Sequence, residues 1–216
     1  MIVSNPSAEQ RSYVSKAQPV ANDSLKRAMD ICVAGGALLF FAPLLLLVAL
    51  LIKLESRGPV FFRQARGGLN GQAFTMFKFR SMRVQENGDK VVQARRDDDR
   101  ITTIGRLIRK TSIDELPQLL NVLKGDMSIV GPRPHARAHD AQYGALIANY
   151  HLRFRARPGL TGLAQIKGLR GATNAVAAMA ARVDADNEFI ERWSLGEDVR
   201  ILLMTVPHLL MAENAY

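Results

Sequence analysis

The chain has 216 residues, with 29 Lys and Arg against 20 Asp and Glu, a net charge of +9 and a pI near 10.1, which allows one sizeable core and favours anionic partners. Aromatics make up only 6% and no nucleic-acid reading module is present, so nucleic acid is set aside as a partner. The single cysteine, Cys32, excludes an internal disulfide and a thiolate metal cluster, and its apolar neighbours predict a small buried side chain.

Residues 1–23 are polar and read as a mobile N-terminal arm, leaving 24–216 as one domain. From Ile31 to Ile52 the chain runs "ICVAGGALLFFAPLLLLVALLI", 22 residues without a charge, which is long enough for a membrane helix. A cleaved leader fits poorly, because 30 residues precede the run and no small-residue cleavage site follows it. A soluble core helix fits poorly too, since every face is apolar.

The topology of this segment is open on the residues alone. Arg11, Lys16, Lys26 and Arg27 precede it, and Lys53, Arg57, Arg63 and Arg66 follow it, four cations on each side. A spanning helix usually has its basic excess on one side. Pro43 lies near the middle, where a missing N–H and a clash with the preceding turn kink or break a helix. A kinked spanning helix and a helix that breaks at Pro43 and returns both satisfy this pattern, and the symmetric charge favours the return.

Short alternating apolar stretches around Gly67, Gly68 and Gly71 predict a hairpin within 58–82, and 85–100 reads as a charged surface loop. "ITTIGRLIRK" (101–110) predicts an amphipathic helix with Ile101, Ile104, Leu107 and Ile108 on one face, the pattern of a membrane-surface helix and equally of a helix covering a soluble core. The apolar 201–211 is too short to span, and core packing and membrane docking are both open for it. His135 and His139 lie one helical turn apart without the Glu of a zinc motif, so no zinc is expected.

The chemistry concentrates in "KTSIDELPQLLNVLKGDMSIVGPRP" (110–134). Ser112 with Glu115 has the spacing of a capping box, Pro117 suits a first helical turn and Gly125 a helix end. Arg106, Arg109 and Lys110 precede the acidic pair and Arg133 follows it between two prolines, a set able to hold phosphates. A helix-start carboxylate beside cations stays ionised at neutral pH, and an ionised Asp114 is a competent nucleophile toward phosphorus. Glu115 next to it suits a divalent cation, because Mg2+ takes one or two carboxylates plus substrate phosphate oxygens.

"KRAMD" before a proline-centred apolar run, then "GPVFFRQARGG", "FKFRSM", "IRKTSIDELPQLLNVLKGDMSIVGPRP" and "RPGLTGLAQIKG" resemble, in order, the bacterial sugar transferase family of monotopic polyprenyl-phosphate phosphoglycosyl transferases. The resemblance runs from about Ser24 to the C-terminus. It implies an α+β, mostly helical, single membrane-embedded monotopic domain, with a re-entrant helix over about 25–54 broken at Pro43, amphipathic interfacial helices and a small β element. The implied reaction moves a sugar-1-phosphate from a UDP-sugar to a polyprenyl (undecaprenyl) phosphate at the cytoplasmic face of the bacterial inner membrane. UMP leaves, and an aspartyl-phosphosugar forms on the way, with Mg2+ as cofactor.

By motif position, Asp114 would be the nucleophile and Glu115 its acidic partner at the metal. Arg109, Lys78, Arg80 and Arg133 would contact substrate, with Arg133 on the nucleotide. Lys26, Arg27, Asp30 and Pro43 would stand where the polyprenyl phosphate and the membrane meet the domain. Membrane lipids are implied partners, and a homo-oligomer is left open. The chain departs from the family pattern at Ala42, Leu163 and Lys167, where relatives often have Ser, Trp and Asn. Two other functions remain on the same residues: a glycosyltransferase that moves the sugar alone and releases UDP, and a non-catalytic membrane scaffold.

Overall fold

The computed structural model describes residues 19–83, 98–169 and 175–210, with 208–210 by backbone alone. The expected arm up to position 18 and positions 85–97 of the expected charged loop lie outside the described residues. Pro19–Asn22 forms a helical turn whose Val20 and Ala21 are buried, so the packed chain starts before Ser24.

Helix α1, Ser24–Glu55, opens with the Asp23 carboxylate accepting the Lys26 N–H at 2.8 Å and continues through Pro43 as one helical segment of 32 residues. Its leucines cannot all find a core: Leu39, Phe40, Leu46 and Leu54 are each more than 70% exposed. Cys32 is exposed as well, contrary to expectation, because this helix turns most of its apolar surface outward. A contiguous apolar surface of this kind marks a membrane or partner contact.

Two narrow strips of α1 do pack. Ala34 joins the main core with Leu119, Val122, Ile129, Val130, Phe189 and Ile201, while Val48 and Ile52 form a second cluster with Phe79 and Ile108. A third cluster gathers Tyr143, Ile147, Tyr150, Met179 and Val183.

Side chains also tie both ends of α1 to the same folded body. At its start, Arg27 donates to the Val122 and Leu123 carbonyls at 2.6 and 2.8 Å, covering the end of the helix Gln118–Lys124. At its finish, Arg80 donates to the Ile52, Ser56 and Arg57 carbonyls, supplying partners for groups a helix end leaves unpaired. Glu55, the last residue of α1, accepts the Thr103 N–H at 2.6 Å and so caps the start of the helix Thr103–Lys110.

The expected hairpin is present. Strands β1 (Phe61–Gly67) and β2 (Ala73–Phe79) pair antiparallel from Phe61 opposite Phe79 to Gly67 opposite Ala73. Asn70 and Gly71 take left-handed backbone in the turn. Helix α2, Thr103–Lys110, is capped by the Thr102 hydroxyl. Only part of its expected apolar face is one face: Ile108 is buried against α1, Leu107 is exposed, and Ile101 lies outside the helix, bridged to Met82. Helix α3, Gln118–Lys124, follows Pro117 and ends at left-handed Gly125, as its sequence predicts.

A parallel pair of three-residue strands was not foreseen. Strand β3 (Ser128–Val130) lies beside β4 (Gly159–Thr161), where the "GPRP" and "RPG" segments cross so closely that a Cβ on Gly131 or Gly159 would overlap the other segment's backbone. Helices α4 (Arg137–Gly144), α5 (Leu163–Ile166), α6 (Val176–Glu191) and α7 (Leu195–Leu210) complete a mostly helical domain. Helix α7 buries Ile201 in the main core and leaves Leu203 and Val206 exposed, so residues 201–207 supply both a core contact and an apolar outer surface.

Candidate active site

The acidic pair sits on a 3-10 turn, Ile113–Glu115, between α2 and α3. The chain enters this turn through Ser112, whose φ of 57° is left-handed, and its N–H bonds the Arg109 carbonyl at 3.2 Å. Ser112 therefore closes α2 rather than opening α3. The expected capping box does not form, since an N-cap needs extended backbone and the Ser112 side chain makes no cap hydrogen bond. Asp114 and Glu115 consequently lie before the first turn of α3, not in it.

Three further segments converge on the turn. Lys78 reaches in from β2, with Nζ 2.7 Å from Glu115 Oε1. Arg133 reaches in from the loop after β3, with Nη2 2.7 Å from the same oxygen and Nη1 3.3 Å from Oε2. The charge of Arg109, on the last turn of α2, acts on Asp114. The two cations on Glu115 overcome its burial and hold its carboxyl far below the usual range, and Glu115 in turn raises Arg133.

Asp114 differs from its neighbour. Among the described residues its carboxylate makes no side-chain hydrogen bond, although it is half-buried. Burial, then the charge of Glu115, pushes its pKa up to about 6, against the pull of Lys78, Arg109 and Arg133. The shift is upward because burial and the neighbouring Glu115 charge outweigh the three cations, and the expected ionised state at neutral pH is compatible with it. Asp114 is still mostly ionised at pH 7.

The structure divides the residues selected from sequence into two sets. Asp114, Glu115, Lys78, Arg109 and Arg133 are brought together. Lys26, Arg27, Asp30 and Arg80 are not; each is committed to the protein's own groups. Lys26 is buried in an ion pair with Asp198 at 2.8 Å and also donates to the Val130 carbonyl. Asp30 accepts the Ser128 hydroxyl and the Ile129 N–H, both at 2.9 Å. Arg27 and Arg80 hold the ends of α1, and Arg80, expected at the substrate, has its donors on carbonyls because a buried helix end requires them. Pro43 lies inside α1. Leu163 belongs to the main core, and Lys167 makes an exposed pair with Glu188 at 2.6 Å.

Sequence reasoning passed over Arg66. Its Nη1 lies 3.3 Å from the Pro134 carbonyl, and its charge acts on Arg133 and Glu115. Strand alternation carries the signal: Phe62 pairs with Lys78, and Arg66 is four residues further along the same face. Burial, then Arg133, lowers the Arg66 guanidinium to about 10. An open surface depression adjoins Arg133, lined also by Gly67, Pro132, Pro134 and Phe154.

No group of three or more His, Cys, Asp or Glu able to hold a metal occurs among the described residues. The donors present are the Asp114 carboxylate and the less occupied Oε2 of Glu115. That set fits Mg2+ only as a cation arriving with substrate phosphates, which complete its oxygen shell.

The family model described as bacterial sugar transferase matches residues 21–212. The UDP-glucose:undecaprenyl-phosphate glucose-1-phosphate transferase of Caulobacter vibrioides is 58% identical over 91% of this chain and 74% of its own length. The Escherichia coli protein of the same name is 51% identical over 86% of this chain, and the match covers 40% of its length. The exopolysaccharide production protein PSS of Rhizobium leguminosarum is 51% identical over 84% of this chain and 93% of its own. With the family model covering most of its length and a clustered carboxylate pair in place, the chain belongs to the bacterial sugar transferase family.

Proposed function

We propose that this chain transfers a sugar-1-phosphate from a UDP-sugar to a polyprenyl phosphate and releases UMP. The names of the Caulobacter and Escherichia coli relatives point to UDP-glucose and undecaprenyl phosphate as the pair, and the Rhizobium relative's name to exopolysaccharide production. The observation that carries the mechanism is the division of labour in the acidic pair: Glu115 is held by two cations, while Asp114 has open lone pairs beside them.

In the first step an Asp114 carboxylate oxygen attacks the phosphorus that bears the sugar. The bond from that phosphorus to the bridging oxygen breaks, its electrons leave with UMP, and an aspartyl-phosphosugar remains. In the second step a phosphate oxygen of the polyprenyl phosphate attacks the same phosphorus and the Asp114 carboxylate leaves, giving a polyprenyl diphosphosugar. Lys78, Arg109 and Arg133 neutralise the charge that gathers on phosphate oxygens in both steps, and Glu115 fixes the positions of two of them. Asp114 and Glu115 would hold Mg2+ together with substrate phosphate oxygens, and the cation would supply Lewis-acid stabilisation of phosphate charge.

The membrane arrangement follows from α1. Its outer surface is apolar, yet its start is held by Val122 and Val130 and its end by Arg80 and Thr103, all in one body. A helix whose two ends bind one folded body, with basic residues on both flanks, is best accommodated with both ends on one side of the membrane. The exposed Leu107, Leu203 and Val206 of α2 and α7 add apolar contacts for lipid. That side is the cytoplasmic face of the inner membrane, where UDP-sugars are available.

The test is the mass of the intact chain after exposure to UDP-glucose without acceptor, with the released nucleotide identified. A phosphoglucosyl adduct and UMP are expected, and neither from Asp114→Asn. Release of UDP would instead mark transfer of the sugar alone, and no turnover would mark a scaffold.

A further inference from the structure

Behind the site lies a buried polar cluster that the mechanism does not use. Its centre is Arg153, which is 3% exposed. All five of its N–H donors have partners. Nε and Nη2 donate to Asp186 Oδ2 at 3.2 and 2.8 Å; Nη1 donates to His135 Nδ1 at 2.6 Å and to the Tyr150 hydroxyl at 3.3 Å; and Nη2 also donates to the Arg133 carbonyl. The Tyr150 hydroxyl donates in turn to Asp140 Oδ1 at 2.7 Å.

Two of these acceptors belong to the short segment that carries Arg133. The Arg133 carbonyl and the His135 ring lie on either side of Pro134, so a single planar guanidinium grips the segment at two points. Pro132 and Pro134 fix φ on both sides of Arg133. With the backbone set this way, the side chain of Arg133 is free only along its own torsions, and it ends on Glu115 at 2.7 Å.

A buried ion pair is weak as a source of stability, because desolvating both charges offsets their attraction. Its use here is better explained by geometry. Lysine would keep the charge at position 153 but could not serve these four acceptors with a planar fork of five donors.

Building on the transferase reading above, we propose that Arg153, held by Asp186, is a positioning residue for the reaction. It fixes the Arg133 backbone so that the Arg133 guanidinium meets Glu115 and the substrate phosphates. It touches no substrate and acts only through Arg133.

The experiment is a double-mutant cycle on the full chain in detergent or nanodiscs, with kcat and KM for UDP-glucose read from UMP release. The variants are Arg133→Ala, Arg153→Lys and the two combined, each with a melting curve. Arg153→Lys is expected to lower kcat/KM by about tenfold in the wild-type background, the scale of a sub-ångström displacement. In the Arg133→Ala background it is expected to lower it less than about twofold, because the residue through which it acts is gone. Equal fold-losses in both backgrounds would overturn the proposal and leave Arg153 a structural residue.

If Arg153→Lys does not melt cooperatively, Asp186→Asn goes through the same cycle; failure of both assigns Arg153 to folding and overturns the proposal as well. Failure of the underlying reading gives a different signature. Wild-type protein would release UDP or nothing, or Arg133→Ala would be fully active, and in the latter case the positioning role falls with it.

Discussion

Arg133 Nη2 lies 2.7 Å from Glu115 Oε1, and this pairing, shared with Lys78, gives two adjacent carboxylates different properties. Glu115 is locked and ionised. Asp114 keeps its lone pairs, at a pKa pushed up to about 6. A nucleophile needs the second condition and a charge organiser needs the first.

Asp114→Asn should therefore abolish adduct formation and lower turnover by at least about 10³-fold, the scale of losing a covalent nucleophile. It should also raise the melting temperature. A carboxyl whose pKa is raised on folding costs stability above that pKa, and the neutral amide removes the cost at pH 7. Activity assays and calorimetry on one preparation check both outcomes.

Glu115→Gln should behave differently. Lys78 and Arg133 lose their shared anion and shift, so turnover should fall by about 10²-fold, yet the phosphosugar adduct should still accumulate in the mass spectrum. Complete absence of adduct would give Glu115 the nucleophilic role instead.

At Ser112 the backbone, not the hydroxyl, sets the outcome. Ser112→Ala should change stability by less than about 0.5 kcal/mol, since no cap hydrogen bond is lost. Ser112→Val should cost about 1–2 kcal/mol, because a β-branched residue resists the left-handed conformation. Chemical denaturation curves separate this from an N-cap role, which would cost about 1 kcal/mol on Ser112→Ala.

Lys26 and Asp198 test the anchoring of α1. Lys26→Ala leaves Asp198 buried at 0% exposure with, among the described residues, Trp193 as its remaining side-chain partner, and should cost about 3–5 kcal/mol. Lys26→Met with Asp198→Leu should recover most of that loss. If the single and double variants melt alike, the pair does not hold the helix.

His135 gives a pH signature. Burial, then the Arg153 guanidinium 2.6 Å from Nδ1, holds its pKa well below 6.5. The unfolded chain takes up this proton near pH 6.5 and the native protein does not, so this group lowers stability as pH falls below about 6.5, by about 1.4 kcal/mol per unit, and contributes nothing above about 7. Asp114 acts in the opposite sense over part of the same range, so the informative quantity is the difference between wild type and His135→Gln. That difference should shift in favour of the variant between pH 7 and pH 5, as followed by denaturant midpoints.

Sequence alone determined the features that depend on local pattern. The apolar run gave a long helix, alternation gave the β1–β2 hairpin, Pro117 and Gly125 bounded α3, and the ordered motifs gave the family. The same motifs brought Lys78, Arg109, Asp114, Glu115 and Arg133 into one list, and the fold brings them into one place. What sequence could not decide was how each charge is used. Ser112 and Glu115 have capping-box spacing, but Lys78 and Arg133, 37 and 18 residues away, draw Glu115 elsewhere. Lys26, Asp30 and Arg80 stand in site motifs, yet Asp198 and backbone carbonyls accept from Lys26 and Arg80, and the Ser128 hydroxyl and the Ile129 N–H donate to Asp30. Arg66 and Arg153 stand in no helix-start or acidic motif, and only long-range packing puts them against the "GPRP" segment. Local propensity reaches a few residues along the chain, whereas the partner of a buried charge is whatever the tertiary fold sets beside it, because leaving that charge unpaired costs more than any local preference.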